Sequence, residues 1–172
     1  MKCALLVVDM QTAVFEMKQP VFSADELIRS VKAAVSATHE RGIKVVFMRH
    51  ENKSFLVKHT PGWEIIQGIG VRESDVIIGK KHPDVFADTG LDAMFKEQGI
   101  DTVIVLGLIS NGCVKAACLS ALDKGYAVYL LSDAHSTFYK HAEKIIAQTN
   151  SEMEAAGVKL LTVEQMATLR TA

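Results

Sequence analysis

The sequence has no cluster of lysines and arginines, no apolar run of membrane-spanning length, and only three cysteines. Each shortage removes a class of function. Basic residues number 19 against 20 acidic ones, for a formal net charge of −1. Without a basic patch, nucleic acid is not an expected partner. The apolar run Ala4-Leu5-Leu6-Val7-Val8 is too short for a membrane span or a signal peptide, and no cleavage site follows it. The expectation is therefore a cytoplasmic protein with no membrane partner. Three cysteines cannot all pair, and their spacing fits no zinc template. Internal repeats, linkers and low-complexity segments are absent as well.

What remains is ordinary globular composition. The chain has 172 residues, 49% of them apolar and 23% charged, enough for one domain over residues 1–172 with a sizeable core. Leu5-Leu6-Val7-Val8 predicts a central parallel strand that ends at Asp9-Met10-Gln11. Ser23-Ala24-Asp25-Glu26 has the form of a capping box, and Leu27, Val31, Ala34, Val35 and Thr38 make a core-facing stripe stopped by Gly42. Residues 43–48 form a second strand, with Arg49-His50-Glu51-Asn52 past its end. Residues 53–74 keep no period, and so long a loop suggests a pocket wall or lid. Further strands are expected over 75–79, 102–106, 126–131 and 158–161, with helices over 91–95, behind Cys113 and over 141–155. This alternation predicts an α/β fold: a single-domain, Rossmann-like three-layer sandwich whose mostly parallel six-stranded sheet has helices on both faces.

Cys3 falls in the first strand and Cys118 inside a helix, where both read as small core residues. Cys113 is different. It follows the strand Val103-Ile104-Val105-Leu106-Gly107 and the residues Ser110 and Asn111, which are good helix N-caps. A thiol at a helix N-terminus is expected to have a lowered pKa and to act as a nucleophile. Asp9 and Lys80 also follow predicted parallel strands, so all three belong to one edge of the sheet, where such folds bind ligands. Position alone does not choose between Lys80 and Lys81. A carboxylate, an ammonium and a thiol suffice for nucleophilic attack on a carbonyl with proton transfer.

These pieces resemble the isochorismatase-like cysteine hydrolase family. The matching residues are Leu5-Leu6-Val7-Val8-Asp9-Met10-Gln11, Lys80 six positions before Phe86, Gly107-Leu108-Ile109-Ser110-Asn111-Gly112-Cys113-Val114 and Ser132-Asp133-Ala134. The resemblance implies a catalytic triad of Asp9, Lys80 and Cys113, with Lys80 rather than Lys81 as its lysine. It also implies a cis peptide at Leu108–Ile109, an oxyanion hole from the amides of Ile109 and Cys113, and a homo-oligomer, dimer or tetramer. Gln11, His50, Trp63, Phe86 and Ser110 are the candidates to contact a small-molecule substrate, and His59 is a further polar candidate. Two departures stand out. Ser110 replaces the usual Thr, and Gly112 stands where a larger residue is common. His50-Glu51-Asn52 lacks the Asp-x-His metal pair of the nicotinamidase branch, so no metal is expected, and the chemistry needs no cofactor. The implied activity is hydrolysis of a C–N bond in a small amide, ureide or carbamoyl compound through a thioester. The alternatives are a non-catalytic anion or nucleotide binder and a triad-bearing protein without turnover. Against the first, Cys113-Val114 occupies the place where a P-loop needs Lys-Ser/Thr.

Overall fold

Strands Cys3–Val8 (β1) and Thr102–Leu108 (β4) are buried at every position, as strands covered by helices on both faces must be. The computed structural model describes residues 1–169. In it the remaining strands are Lys44–His50 (β2), Val76–Lys80 (β3), Ala127–Ser136 (β5) and Lys159–Leu161 (β6). They form one sheet in the order β3-β2-β1-β4-β5-β6, and every neighbouring pair is parallel. The expected α/β sandwich is what the chain adopts, with a sheet that is wholly rather than mostly parallel.

Alternation along β1 divides the core into two layers. Leu5 and Val7 pack with Leu27, Val31 and Val35 of Ala24–Glu40 (α2, after the short α1, Thr12–Phe15). Leu6 and Val8 face the opposite layer, with Phe95 of Leu91–Glu97 (α3), Ala117, Cys118 and Ala121 of Lys115–Asp123 (α4), and Met153 of Ala142–Ala155 (α5). Val163–Ala167 (α6) adds Met166 to the first layer. Cys3 and Cys118 are buried core residues, as read from the sequence. No helix among the described residues is long and apolar enough to cross a membrane.

Two local expectations fail. Ser23 has a φ of +48° and its side chain makes no capping hydrogen bond, so the predicted capping box does not form. The helix instead begins at a left-handed residue, with Leu27 N–H donating to the Ser23 carbonyl. The fifth strand runs to Ser136 rather than stopping at 131. Its pairing with β4 jumps from Val105↔Leu130 to Gly107↔His135, and this bulge returns residues 135–136 to the sheet beside the turn that carries Cys113.

Gly107 makes that arrangement possible. Its φ is +117°, and a Cβ there would lie 2.2 Å from the Val8 carbonyl oxygen. Both the backbone angle and the close approach of two strand backbones require glycine. Gly107→Ala is expected to destabilise the fold by at least about 3 kcal/mol, because the clash is with backbone that cannot rotate away. Chemical denaturation checks this; a loss below about 1 kcal/mol would contradict it.

Candidate active site

The sheet order reverses direction between β1 and β4. From β1 the chain builds outward to β2 and β3, and from β4 it builds the other way to β5 and β6. At such a switch point the loops leave in opposite directions and open a crevice beyond the strand ends. Asp9 follows the last residue of β1, and its N–H donates to the Met48 carbonyl at 3.1 Å. Lys80 is the last residue of β3 and sits in register with His50, the last residue of β2. Cys113 lies in the π-helical turn Ser110–Val114, which joins β4 to α4. The Leu108–Ile109 peptide is cis, as the resemblance implies.

Lys80 gathers these groups. Its Nζ lies 3.0 Å from Asp9 Oδ2, 3.1 Å from His50 Nδ1, 3.2 Å from the His82 carbonyl and 3.3 Å from Cys113 Sγ. Lysine has three N–H donors for these four acceptors. The Lys80 side chain is fully buried and the Asp9 side chain nearly so. Lys81, by contrast, is exposed and stands 3.6 Å from Glu51. Of the two lysines, Lys80 is therefore the one that meets Asp9 and Cys113, while Lys81, one residue beyond β3, lies at the surface. The other Asp9 oxygen, Oδ1, is buried without a hydrogen-bond partner among the described residues, and is therefore an acceptor available to a thiol or substrate proton.

The thiol is not the pre-ionised group expected from a helix N-terminus. Burial pushes the Cys113 thiol up to about 12, the Asp9 carboxylate pushes the same way, and the Lys80 ammonium only partly opposes them. The expected helix cap is absent too. Neither Ser110 nor Asn111 caps a helix; the Ile109 carbonyl accepts from the Gly112 and Val114 amides instead, skipping Cys113. The resting thiol is thus protonated.

Beside these groups is a cavity of about 240 Å³ whose polar wall is Asp9, His50, Asn52 and Cys113, with Phe55, Ile109 and Phe138 among its apolar lining. Of the expected substrate contacts, only His50 reaches it. Gln11 is fully buried: its side chain donates to the His50 carbonyl (2.9 Å) and the Trp63 carbonyl (2.8 Å) and accepts from the His50 N–H (2.8 Å). Gln11 therefore fixes the end of β2 rather than meeting a ligand. Trp63 is buried under the Arg49 guanidinium, 3.6 Å from its ring centroid, and His59 packs edge-on against the same ring. Phe86 stacks on Tyr126 in the core at 5.7 Å. Ser110 is fully buried, with Oγ 2.8 Å from His135 Nδ1; His135 Nε2 is 2.8 Å from Asn150 Oδ1. Burial lowers the His135 pKa. The neutral ring then donates from Nε2 to Asn150 and accepts the Ser110 hydroxyl proton at Nδ1. Gly112 does not widen the cavity: the Ile109 side chain already fills the space beside it, and a Cβ there would come within 2.9 Å of that side chain.

Sequence reasoning missed Asn52 and Phe138. Asn52 Oδ1 accepts from the amides of Ser54, Phe55 and Leu56, each at 3.0 Å. It thereby shapes the first turn of the 51–74 loop, and only this part of the loop lines the cavity. The Asn-x-Ser sequence is a turn signal that could have found it. Oxygen, nitrogen and sulfur ligand atoms of Asp9, His50 and Cys113 lie within 4.8 Å of one another, a donor set of the kind transition metals use. Lys80 Nζ is within 3.3 Å of all three side chains. An ammonium thus already holds the place of a shared cation, and the residues do not fit a metal.

Two measurements test this arrangement. Lys80→Met leaves the Asp9 carboxylate buried and unpaired, and is expected to cost about 3–5 kcal/mol of stability; Asp9→Asn with Lys80→Met is expected to be more stable than Lys80→Met alone in denaturant titrations. Alkylation of Cys113 by iodoacetamide in the resting protein is expected to climb about tenfold per pH unit from 7 to 10, because thiolate remains scarce below 12. A plateau near pH 8 by mass spectrometry would contradict the raised thiol pKa.

A model of the isochorismatase domain matches residues 3–165. Streptothricin hydrolase from Streptomyces noursei is 33% identical over 148 residues, covering 85% of this chain and 54% of that protein. The chain thus spans about half the length of the streptothricin hydrolases it matches. An isochorismatase-like hydrolase structure from Alkaliphilus metalliredigens superposes with a TM-score of 0.88 at 26% identity, covering 98% of each chain. A zinc complex of pyrazinamidase from Pyrococcus horikoshii superposes with a TM-score of 0.83 at 28% identity, covering 94% of this chain and 99% of that one.

Proposed function

The chain belongs to the isochorismatase family, and on that footing we propose that it is a cysteine hydrolase of C–N bonds in a small amide, ureide or carbamoyl compound. One observation carries the reading: a buried ammonium lies 3.3 Å from the Cys113 sulfur and 3.0 Å from the Asp9 carboxylate, and both of those residues line one cavity. The names hydrolase and pyrazinamidase borne by relatives agree with it.

Because the resting thiol is protonated, attack and deprotonation are coupled. As Sγ bonds to the substrate carbonyl carbon, the thiol proton passes to Asp9. The carbonyl oxygen takes up negative charge and is received by the Ile109 and Cys113 amides. The C–N bond then breaks, the departing nitrogen takes the proton from Asp9, and a thioester remains. Water next attacks the thioester carbon and gives a proton to Asp9. The C–S bond breaks, the acid leaves, and the proton returns to sulfur. Lys80 makes no bond in this cycle. Its positive charge sits beside both the carboxylate and the transient thiolate, and so lowers the energy of the separated charges when the proton is in flight. A homo-oligomer and a cytoplasmic location belong to the same proposal.

The test is ammonia release from a panel of small amides. Cys113→Ala is expected to lower the rate at least about a thousandfold while leaving the fold intact. Rapid-quench intact-mass measurement is expected to show an acyl adduct on Cys113 in the unsubstituted protein and none in the variant. Equal rates for the two proteins would end the reading.

A further inference from the structure

The turn that carries Cys113 is not a regular helical turn able to hold itself. Within Ser110–Val114, Gly112 leaves helical geometry (φ −121°, ψ −113°) and brings no side chain to pack. Backbone bonds run from the Gly112 and Val114 amides to the Ile109 carbonyl, and from the Lys115 amide to the Ser110 and Gly112 carbonyls. Two side chains of the turn are buried, those of Ser110 and Val114. Val114 packs in the apolar layer, so Ser110 is the buried polar anchor.

Among the described residues the Ser110 hydroxyl has one partner, His135 Nδ1 at 2.8 Å. His135 is buried near the end of β5, in register with Gly107 beyond the bulge. Its other ring nitrogen lies 2.8 Å from Asn150 Oδ1 on α5. The bonds thus start on α5, pass the end of β5 and reach Ser110, the residue after Ile109 and three before Cys113. Neither Ser110 nor His135 lines the reactive cavity, so both act through the turn. Burial lowers the His135 pKa and keeps the ring neutral. With Nε2–H given to Asn150, Nδ1 accepts the Ser110 hydroxyl proton, and no charge is placed behind the thiol. Removing the hydroxyl or the imidazole leaves a buried polar atom unpaired, a cost the turn relieves by shifting.

Resting on the hydrolase reading above, we propose that Ser110 and His135, anchored on Asn150, are positioning residues that hold the Cys113 sulfur 3.3 Å from Lys80 Nζ for acylation. The same hold keeps the Ile109 and Cys113 amides aimed at the oxygen of the carbonyl under attack. A displacement of about 1 Å at a reacting group costs on the order of a hundredfold in rate. A chain of bonds that never meets substrate therefore sets how fast the sulfur is acylated.

The probe is p-nitrophenyl acetate, followed in single turnovers well below each variant's denaturation midpoint. The S–C bond forms, the ester C–O bond breaks to release p-nitrophenolate, and the thiol proton goes to Asp9. Ser110→Ala and His135→Leu are each expected to slow the limiting acylation rate about ten- to a hundredfold, while the concentration giving half that rate moves less than about twofold. The double variant is expected to be no slower than the slower single one, because the pair acts as a unit. Ser110→Thr keeps the hydroxyl and is expected to stay within about threefold of the unsubstituted rate. Ser136→Ala is the control: it removes a 2.7 Å bond from the same strand end to the Phe22 carbonyl, and is expected to lose stability but not rate. Iodoacetamide labelling at pH 8 reads the hold on the sulfur without acylation. Cys113 is expected to label at least about threefold faster in Ser110→Ala and His135→Leu, since a loosened turn exposes the thiol. Unchanged acylation or labelling in both variants, equal slowing by Ser136→Ala, or additive losses in the double variant would each overturn the inference. If neither p-nitrophenyl acetate nor any small amide acylates Cys113 in the unsubstituted protein, the hydrolase reading fails, and the labelling ratio alone decides whether the pair holds the sulfur.

Discussion

An ammonium and a carboxylate withdrawn from water together, Lys80 and Asp9 at 3.0 Å, constrain everything around them. Neither charge could be buried alone without a large desolvation cost, so each needs the other held in place. Holding them requires two strands, β1 and β3, that are separated in the sheet by β2. The register His50↔Lys80 and the Gln11 bonds to the His50 peptide fix that intervening strand. This buried ion pair thus depends on the regular pairing of the strands around it.

The opposite wall of the crevice is built differently. There the chain leaves the regular ladder: Gly107 passes against Val8, the pairing with β5 jumps across a bulge, and a π-helical turn carries Cys113 back toward Lys80. Behind that turn, the buried Ser110 and His135 and the half-buried Asn150 form a chain of hydrogen bonds that ties the turn to the end of β5 and to α5. Two differently built halves therefore meet at the switch point, one placing the Asp9–Lys80 ion pair and the other the sulfur.

A thiol held near 12 by burial changes the meaning of activation. A permanently ionised cysteine would react with any electrophile or oxidant that entered. In the proposed reaction the sulfur becomes a nucleophile only when a carbonyl is in place and the proton can pass to Asp9. Lys80 lies within 3.3 Å of both groups, and in that proposed reaction its charge lowers the energy of the transient state.

The alternation of apolar strands with helices, the glycines at helix exits and the residue types at positions 9, 80 and 113 were legible in the chain. They arise from local patterning, and the right-handed parallel crossover leaves few ways to assemble them. Which candidate residues face the cavity was not legible. Gln11, Trp63, Phe86 and Ser110 are in the right neighbourhood by position but are turned to backbone, guanidinium, ring and imidazole partners that lie far off in sequence. The raised thiol pKa escaped for the same reason, since it reflects how much water the surrounding chain excludes, and no helix cap or sequence spacing records that. Linear order by itself determined the fold class and the chemical cast of the site; only the tertiary structure decided side-chain direction, burial and protonation, because those are set by atoms that meet only once the sheet has closed.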